Sequence, residues 1–148
     1  MACALLEQGG RVLLVRRAEH GLLGGLWELP SVEVADGENP RPPLARAVER
    51  RIGAPVVVER KIAAVRRMLT HRVLELEAHR ARLRSRPPRR RHEGRRWVAW
   101  DALGSAGMAT AFRELLGAAR AGRPEARGSR AARRRSRPGK APEVPDNP

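Results

Sequence analysis

A chain of 148 residues, 41% hydrophobic but only 3% aromatic, has room for one domain with a largely aliphatic core. Its single cysteine, Cys3, excludes an internal disulfide framework and any four-cysteine metal or iron–sulfur site within the chain. Lys and Arg total 31 against 16 acids, a formal net charge of +15, which points to a polyanionic partner and to nucleic acid first. Nearly all of these cations are arginine, suited to bidentate phosphate contacts. An arginine-rich coding bias on solvated faces is the plainer account of any one of them. No apolar run approaches the ~20 residues that span a bilayer, and "MACALLEQGG" meets Glu7 too early for a secretory signal. A cytoplasmic setting without a membrane partner is the simplest expectation.

In chain order, "CALLEQGGRVLLVRR" reads as two strands about a Gly9-Gly10 turn. "AEHGLLGGLWELPSVEV" reads as a glycine-rich loop entering short extended pieces, with Pro30 opposing a helix. "RPPLARAVERRIG" is the strongest helix: Pro42 and Pro43 suit a first turn, and Gly53 suits a stop. Leu44, Val48 and Ile52 recur at i, i+4 and i+8 and give it one apolar face. "PVVVERKIAAV" and "LTHRVLELEAHRARL" are extended, the second placing Leu74, Leu76 and Ala78 on one face. "RSRPPRRRHEGR" is a basic loop broken by proline, and "RWVAW" is a strand. Asp101 suits the cap of a short turn, and Thr110 the cap of a last helix, "AFRELLGAAR". Residues 121–148 show no apolar period and are expected to be a disordered Arg/Pro-rich tail after a single domain over 1–120. Strands and helices in this order predict a mixed α/β domain.

The stretch from Val32 to Ala54 resembles the Nudix box, G-x5-E-x7-R-E-U-x-E-E-x-G-U with U aliphatic. Glu38, Arg46, Val48 and Gly53 match it. Val32 stands for the first glycine, Ala47 for the acid after the arginine, and Arg50 and Arg51 for the paired acids. Nudix enzymes hold Mg²⁺ on a substrate diphosphate with those acids, and Mg²⁺ takes hard oxygen ligands. Two permanently protonated guanidiniums would repel the ion. Glu49 lies one residue off, about 100° around a helix. No metal site and no cofactor are therefore expected.

"GLLGGLWELP" resembles the C-terminal domain of adenine DNA glycosylases, the MutY family, whose fold is Nudix-like but whose chemistry is not. Its residues look structural, with Trp27 and Leu29 in the core and Gly24 and Gly25 in a tight loop. Leu69, Thr70 and His71 match the family's Phe-Ser-His or Leu-Thr-His element, with Arg67 where many members have a further histidine. "WVAWDALGSAGMATAFRELL" is similar to the family's closing strand and helix. The resemblance spans roughly residues 2–120. It implies a Nudix-like mixed β-sheet flanked by helices, and a partner in double-stranded DNA carrying oxidised guanine opposite adenine.

In that family a separate helical domain with an iron–sulfur cluster removes the adenine. The resemblance therefore implies a recognition module that works with such a catalytic domain and is not active alone. 8-Oxoguanine differs from guanine by a hydrogen on N7 and an oxygen on C8. A hydroxyl can accept from the one or donate to the other. Thr70 is the expected lesion contact. His71 would orient the loop or meet the backbone, Leu69 would fill space or wedge beside the base, and Arg67 is expected among the DNA- or lesion-binding residues with them. The arginines from Arg80 to Arg96, with Arg89, Arg90 and Arg91 at their centre, would grip phosphates without sequence preference. Two other readings compete: a divergent Nudix hydrolase of 8-oxo-dGTP or a related nucleotide, which would need Mg²⁺, and a nonspecific polycation on a decayed Nudix core.

Overall fold

The computed structural model describes residues 1–20, 23–86 and 94–123. Among these residues seven strands form one mixed sheet: β1 (Ala2–Gln8), β2 (Arg11–Arg16), β3 (Trp27–Glu28), β4 (Ser31–Val32), β5 (Val56–Met68), β6 (Val73–Leu83) and β7 (Arg95–Ala99). Helix α1 (Arg41–Ile52) lies between β4 and β5, and α2 (Thr110–Ala121) closes the domain after a short 3-10 helix (Trp100–Ser105). The path runs β3-β2-β1-β6-β5, with β4 on β1 and β7 on β2. β1 and β6 are parallel, in register from Ala2↔Glu77 to Leu6↔Ala81. β5 and β6 form a long antiparallel hairpin whose register shifts twice, between Val58 and Lys61 and between Lys61 and Ala63.

Alternation along buried strands supplies two apolar layers. From β1, Cys3 and Leu5 face the layer under α2, while Ala2, Ala4 and Leu6 face the layer under α1. From β2, Val12 and Leu14 join the first layer and Leu13 the second. Leu76 and Ala78 of β6 are buried toward α2 with Leu74 packed against them, the one-faced set expected from the sequence. Leu44, Val48 and Ile52 of α1 are fully or almost fully buried, as their spacing requires. α2 buries Ala111, Phe112, Leu115, Leu116 and Ala119. This is the mixed sheet flanked by helices that the resemblance implied.

Boundaries differ from the expectation at both expected caps. Asp101 lies inside the 3-10 helix, which starts at Trp100 with Ala99 in the cap position and no side-chain hydrogen bond, so β7 ends one residue before the expected strand does. Thr110 is the first residue of α2 and does not cap it; Ala109 stands in the cap position with extended dihedrals and no side-chain hydrogen bond. The far end of α2 is instead fastened to β1. The Trp100 indole N–H donates to Glu7 Oε1 at 3.1 Å, Arg123 pairs with the same oxygen at 2.9 Å, and the Arg123 guanidinium lies 5.2 Å from the Trp100 ring. α2 ends at Ala121, and the predicted tail beyond Arg123 falls outside the described residues.

Cys3 sits in the middle of this sheet with no exposed surface. Burial pushes its thiol up to about 12, with a small lowering from the amino terminus. A thiolate is the reactive form, so Cys3 should resist a soluble disulfide reagent at pH 8 in the native protein. It should react stoichiometrically once the chain is unfolded in guanidinium. Rapid labelling of the folded protein would show that β1 opens locally.

Candidate functional site

The Leu69–Arg72 segment is the tip of the β5–β6 hairpin, closed by a hydrogen bond from the Leu69 amide to the Arg72 carbonyl at 2.8 Å. Thr70 and His71 are exposed there, and neither side chain makes a hydrogen bond within the described residues. The Thr70 hydroxyl therefore has no internal competitor. Beside the tip is a largely apolar pocket of ≈ 500 Å³. Arg67, Met68, Leu69 and Arg72 line it from the hairpin, with Leu23 from the glycine-rich loop and Phe112 from α2. Thr70 and His71 stand next to this lining and are not part of it. Arg67 is held by Glu114 of α2 at 3.2 Å. Met68 is 83% exposed, and Leu23, Leu69 and Val73 are also large apolar residues left in solvent. Leu23, Met68 and Leu69 all line this pocket, and such a grouping marks a contact surface more strongly than any one of them alone.

Leu23 has φ 62, the single non-glycine residue with positive φ among those described. A leucine held in the left-handed region is strained. Its neighbour Gly24 explains the constraint: a Cβ there would lie 2.1 Å from the Glu19 carbonyl oxygen. The tight loop expected around Gly24 and Gly25 is thus present, and it delivers Leu23 to the pocket. Sequence reasoning treated this segment as packing and missed Leu23, because an isolated leucine in a loop has no period to reveal it. Leu29 is fully buried as expected, and Trp27 is half-buried beneath Arg96, whose guanidinium lies 4.1 Å from the ring centroid.

A second cleft of ≈ 520 Å³ occupies the place where the Nudix-box helix would present its acids. It is lined by Ala47, Arg50 and Arg51 of α1, Glu28 of β3, Ser31 of β4 and Arg17 at the end of β2. Arg17 lines both this cleft and the hairpin pocket. Arg17 Nη1 meets Glu28 Oε2 at 3.0 Å. Burial raises the Glu28 carboxyl above its ordinary range, and Arg17 and then Arg51 pull it part of the way back. Arg51 donates to the Arg16 carbonyl. Arg50 is exposed and makes no ion pair or hydrogen bond within the described residues.

The other Nudix-box matches stand apart from the cleft. Glu38 is exposed in a turn after β4, its amide bonded to the Ala35 carbonyl at 3.1 Å. Arg46 is exposed on α1. Gly53 ends the helix at φ 71, a left-handed cap that glycine takes without a Cβ penalty. Glu49 is turned away, its Oε1 accepting the Val56 amide at 2.9 Å. These residues do not fit Mg²⁺. The cleft offers one carboxylate, already paired, against three guanidiniums. Among the described residues no three His, Cys, Asp or Glu side chains group to hold a metal.

The arginines of the expected basic surface are partly consumed internally. Arg82 pairs with Glu59 at 2.8 Å, and Arg95 donates to the Ile52 carbonyl. Arg84 and Arg86 follow the end of β6, whereas the hairpin tip precedes its start. The strand's 11 residues, at about 3.3 Å each, separate the two regions. Arg89, Arg90 and Arg91 lie outside the described residues. Among the described residues no helix is long and apolar enough to cross a membrane.

The model of the NUDIX domain family matches residues 1–118. A mouse protein named adenine DNA glycosylase is 30% identical over 122 residues, which cover 78% of this chain and 24% of that protein. The chain thus spans about a quarter of the length of the glycosylases that it matches, and its similarity to them falls on their C-terminal Nudix-like region. The CTP pyrophosphohydrolase of Escherichia coli is 28% identical over 78 residues, covering 53% of this chain and 58% of that one. Among solved structures, the C-terminal domain of mouse MUTYH, crystallised with human PCNA, superposes with a TM-score of 0.62 at 26% identity, covering 81% of this chain and 86% of that one.

Proposed function

Starting from the chain's membership of the NUDIX domain family, we propose that it is a DNA-repair recognition module, one that reads oxidised guanine opposite adenine in duplex DNA in company with a glycosylase catalytic domain. The observation that carries this reading is the exposed Leu69–Arg72 tip, with a free Thr70 hydroxyl beside a largely apolar pocket and three arginines, Arg17, Arg67 and Arg72, on its walls. The hydroxyl would accept from N7–H or donate to O8 of the lesion. Leu69 would pack beside the base, and the arginines would meet backbone phosphates. His71, at the tip, would approach the backbone or brace the turn. The similarity to adenine DNA glycosylases and to the MUTYH C-terminal domain supports the same reading.

The measurement is a titration of two labelled duplexes at one fixed salt concentration, one with a single 8-oxoguanine:adenine pair and one with guanine:cytosine there. The lesion duplex should bind about tenfold more tightly, the value of ~1.4 kcal/mol of lesion-specific contact. Equal affinities would leave only charge attraction. A nucleotide hydrolase is the less supported reading, because Arg50 and Arg51 line the cleft where its metal would sit. Mg²⁺- or Mn²⁺-dependent phosphate release that vanishes in Glu38→Gln would favour it instead.

A further inference from the structure

We propose that the Arg17–Arg50–Arg51 cleft is a metal-free oxyanion site that takes a phosphate or diphosphate group directly on guanidinium. Three guanidiniums and one carboxylate line it, a local charge of about +2 in a concave space of ≈ 520 Å³ with apolar Val15, Pro30 and Ala47 among its walls. A concave wall focuses the field of the cations that line it, so together they hold an anion more strongly than the same charges spread over a flat surface. Cations at the last turn of a helix are commonplace and favourable. That accounts for Arg50 and Arg51 on α1 but not for Arg17, which arrives from the end of β2 to face the same space.

The donors are unevenly committed. Arg17 is engaged by Glu28, and Arg51 gives one N–H to the Arg16 carbonyl. Arg50 has no partner among the described residues. An anion entering the cleft would therefore find Arg50 free, most of the Arg51 fork available, and Ser31 in the lining as a further donor. Ala47 leaves room where a longer acidic side chain would fill space and repel the ligand. The replacements that remove a Mg²⁺ site thus build its electrostatic opposite. A phosphate that elsewhere needs a bridging cation would here meet the cation as part of the protein.

The shared chemistry is the phosphate, whether it comes from a free nucleotide or from a DNA backbone. The test is calorimetric titration of the full chain with inorganic pyrophosphate in the presence of EDTA. Saturable binding with no divalent cation present is expected. Arg50→Glu should weaken it at least tenfold and Arg51→Lys several-fold. Glu28→Gln should strengthen it several-fold, a gain that no loss of folding can mimic. Arg60→Glu, an equal charge change at an exposed position on β5, should shift affinity less than twofold.

A requirement for Mg²⁺, an absence of saturation at millimolar pyrophosphate, or an equal loss in Arg60→Glu would each overturn the site. A competition arm separates the sources. If duplex DNA displaces pyrophosphate, the site is supported as a backbone-phosphate contact; if both bind together, it is supported as a site for free nucleotide phosphates. None of these readouts depends on discrimination between damaged and undamaged duplex, so the site and the lesion-reading function stand or fall separately.

Discussion

Thr70→Val should lower the preference for 8-oxoguanine:adenine duplex about tenfold while changing affinity for undamaged duplex less than twofold. The substitution keeps a β-branched side chain of nearly the same shape and removes only the hydroxyl. Thr70 is exposed at the hairpin tip and bonds to nothing within the described residues, so the fold loses no hydrogen bond. Its thermal stability should stay within about 0.5 kcal/mol. The expected loss is that of one hydrogen bond to a desolvated base. It includes the penalty of leaving N7–H or O8 unpaired, about 1–3 kcal/mol in all. Paired titrations at one salt concentration measure it. A parallel loss on both duplexes would assign Thr70 to general DNA contact and remove it as the lesion reader.

Leu44→Ala should destabilise the domain by about 2–5 kcal/mol, whereas Arg50→Ala, further along the same helix, should change stability by less than about 0.5 kcal/mol. Leu44 has no exposed surface and packs with Leu6, Leu13, Val48 and Ile52 between α1 and the sheet. Removing its branched end opens a cavity that its neighbours on the sheet cannot close without moving. Arg50 reaches outward into the cleft and makes no internal bond among the described residues. Urea melts of the two variants would measure the contrast. Comparable losses would mean that the arginines of α1 hold the fold and have no separate role in the cleft.

That contrast also explains what was legible in the sequence. α1 announced itself through Leu44, Val48 and Ile52, because burial against a sheet demands a repeating apolar face. β1, β2 and β6 did so through apolar runs and alternation, and β3 and β4 as short extended pieces after a glycine-rich loop. Side-by-side placement was not legible. Nothing in the local pattern of Arg17 says that it lines both the cleft with Arg50 and the pocket with Leu69. Nor does the spacing of the basic residues reveal that Arg84 and Arg86 lie across the length of β6 from Thr70. Glu49 could be excluded as a metal ligand by helical phase, but its actual occupation, accepting the Val56 amide, depends on where β5 begins. Local chemistry fixes which elements form; tertiary contact decides which side chains share a space.

The parallel pairing of β1 with β6 has a consequence for how the chain reaches its native state. Residue 2 is hydrogen-bonded in register with the strand around residue 77, so the central strand lacks one neighbour until β6 exists. Closing so long a loop costs conformational entropy before any contact repays it. Early in synthesis only the β1–β2 hairpin and α1 can form, and neither has its full apolar partner surface. The domain should therefore fold late and as a unit, on the millisecond-to-second scale typical of non-local sheets. A chain cut before Glu77 would leave one side of β1 open, an apolar strand edge that pairs readily with another molecule.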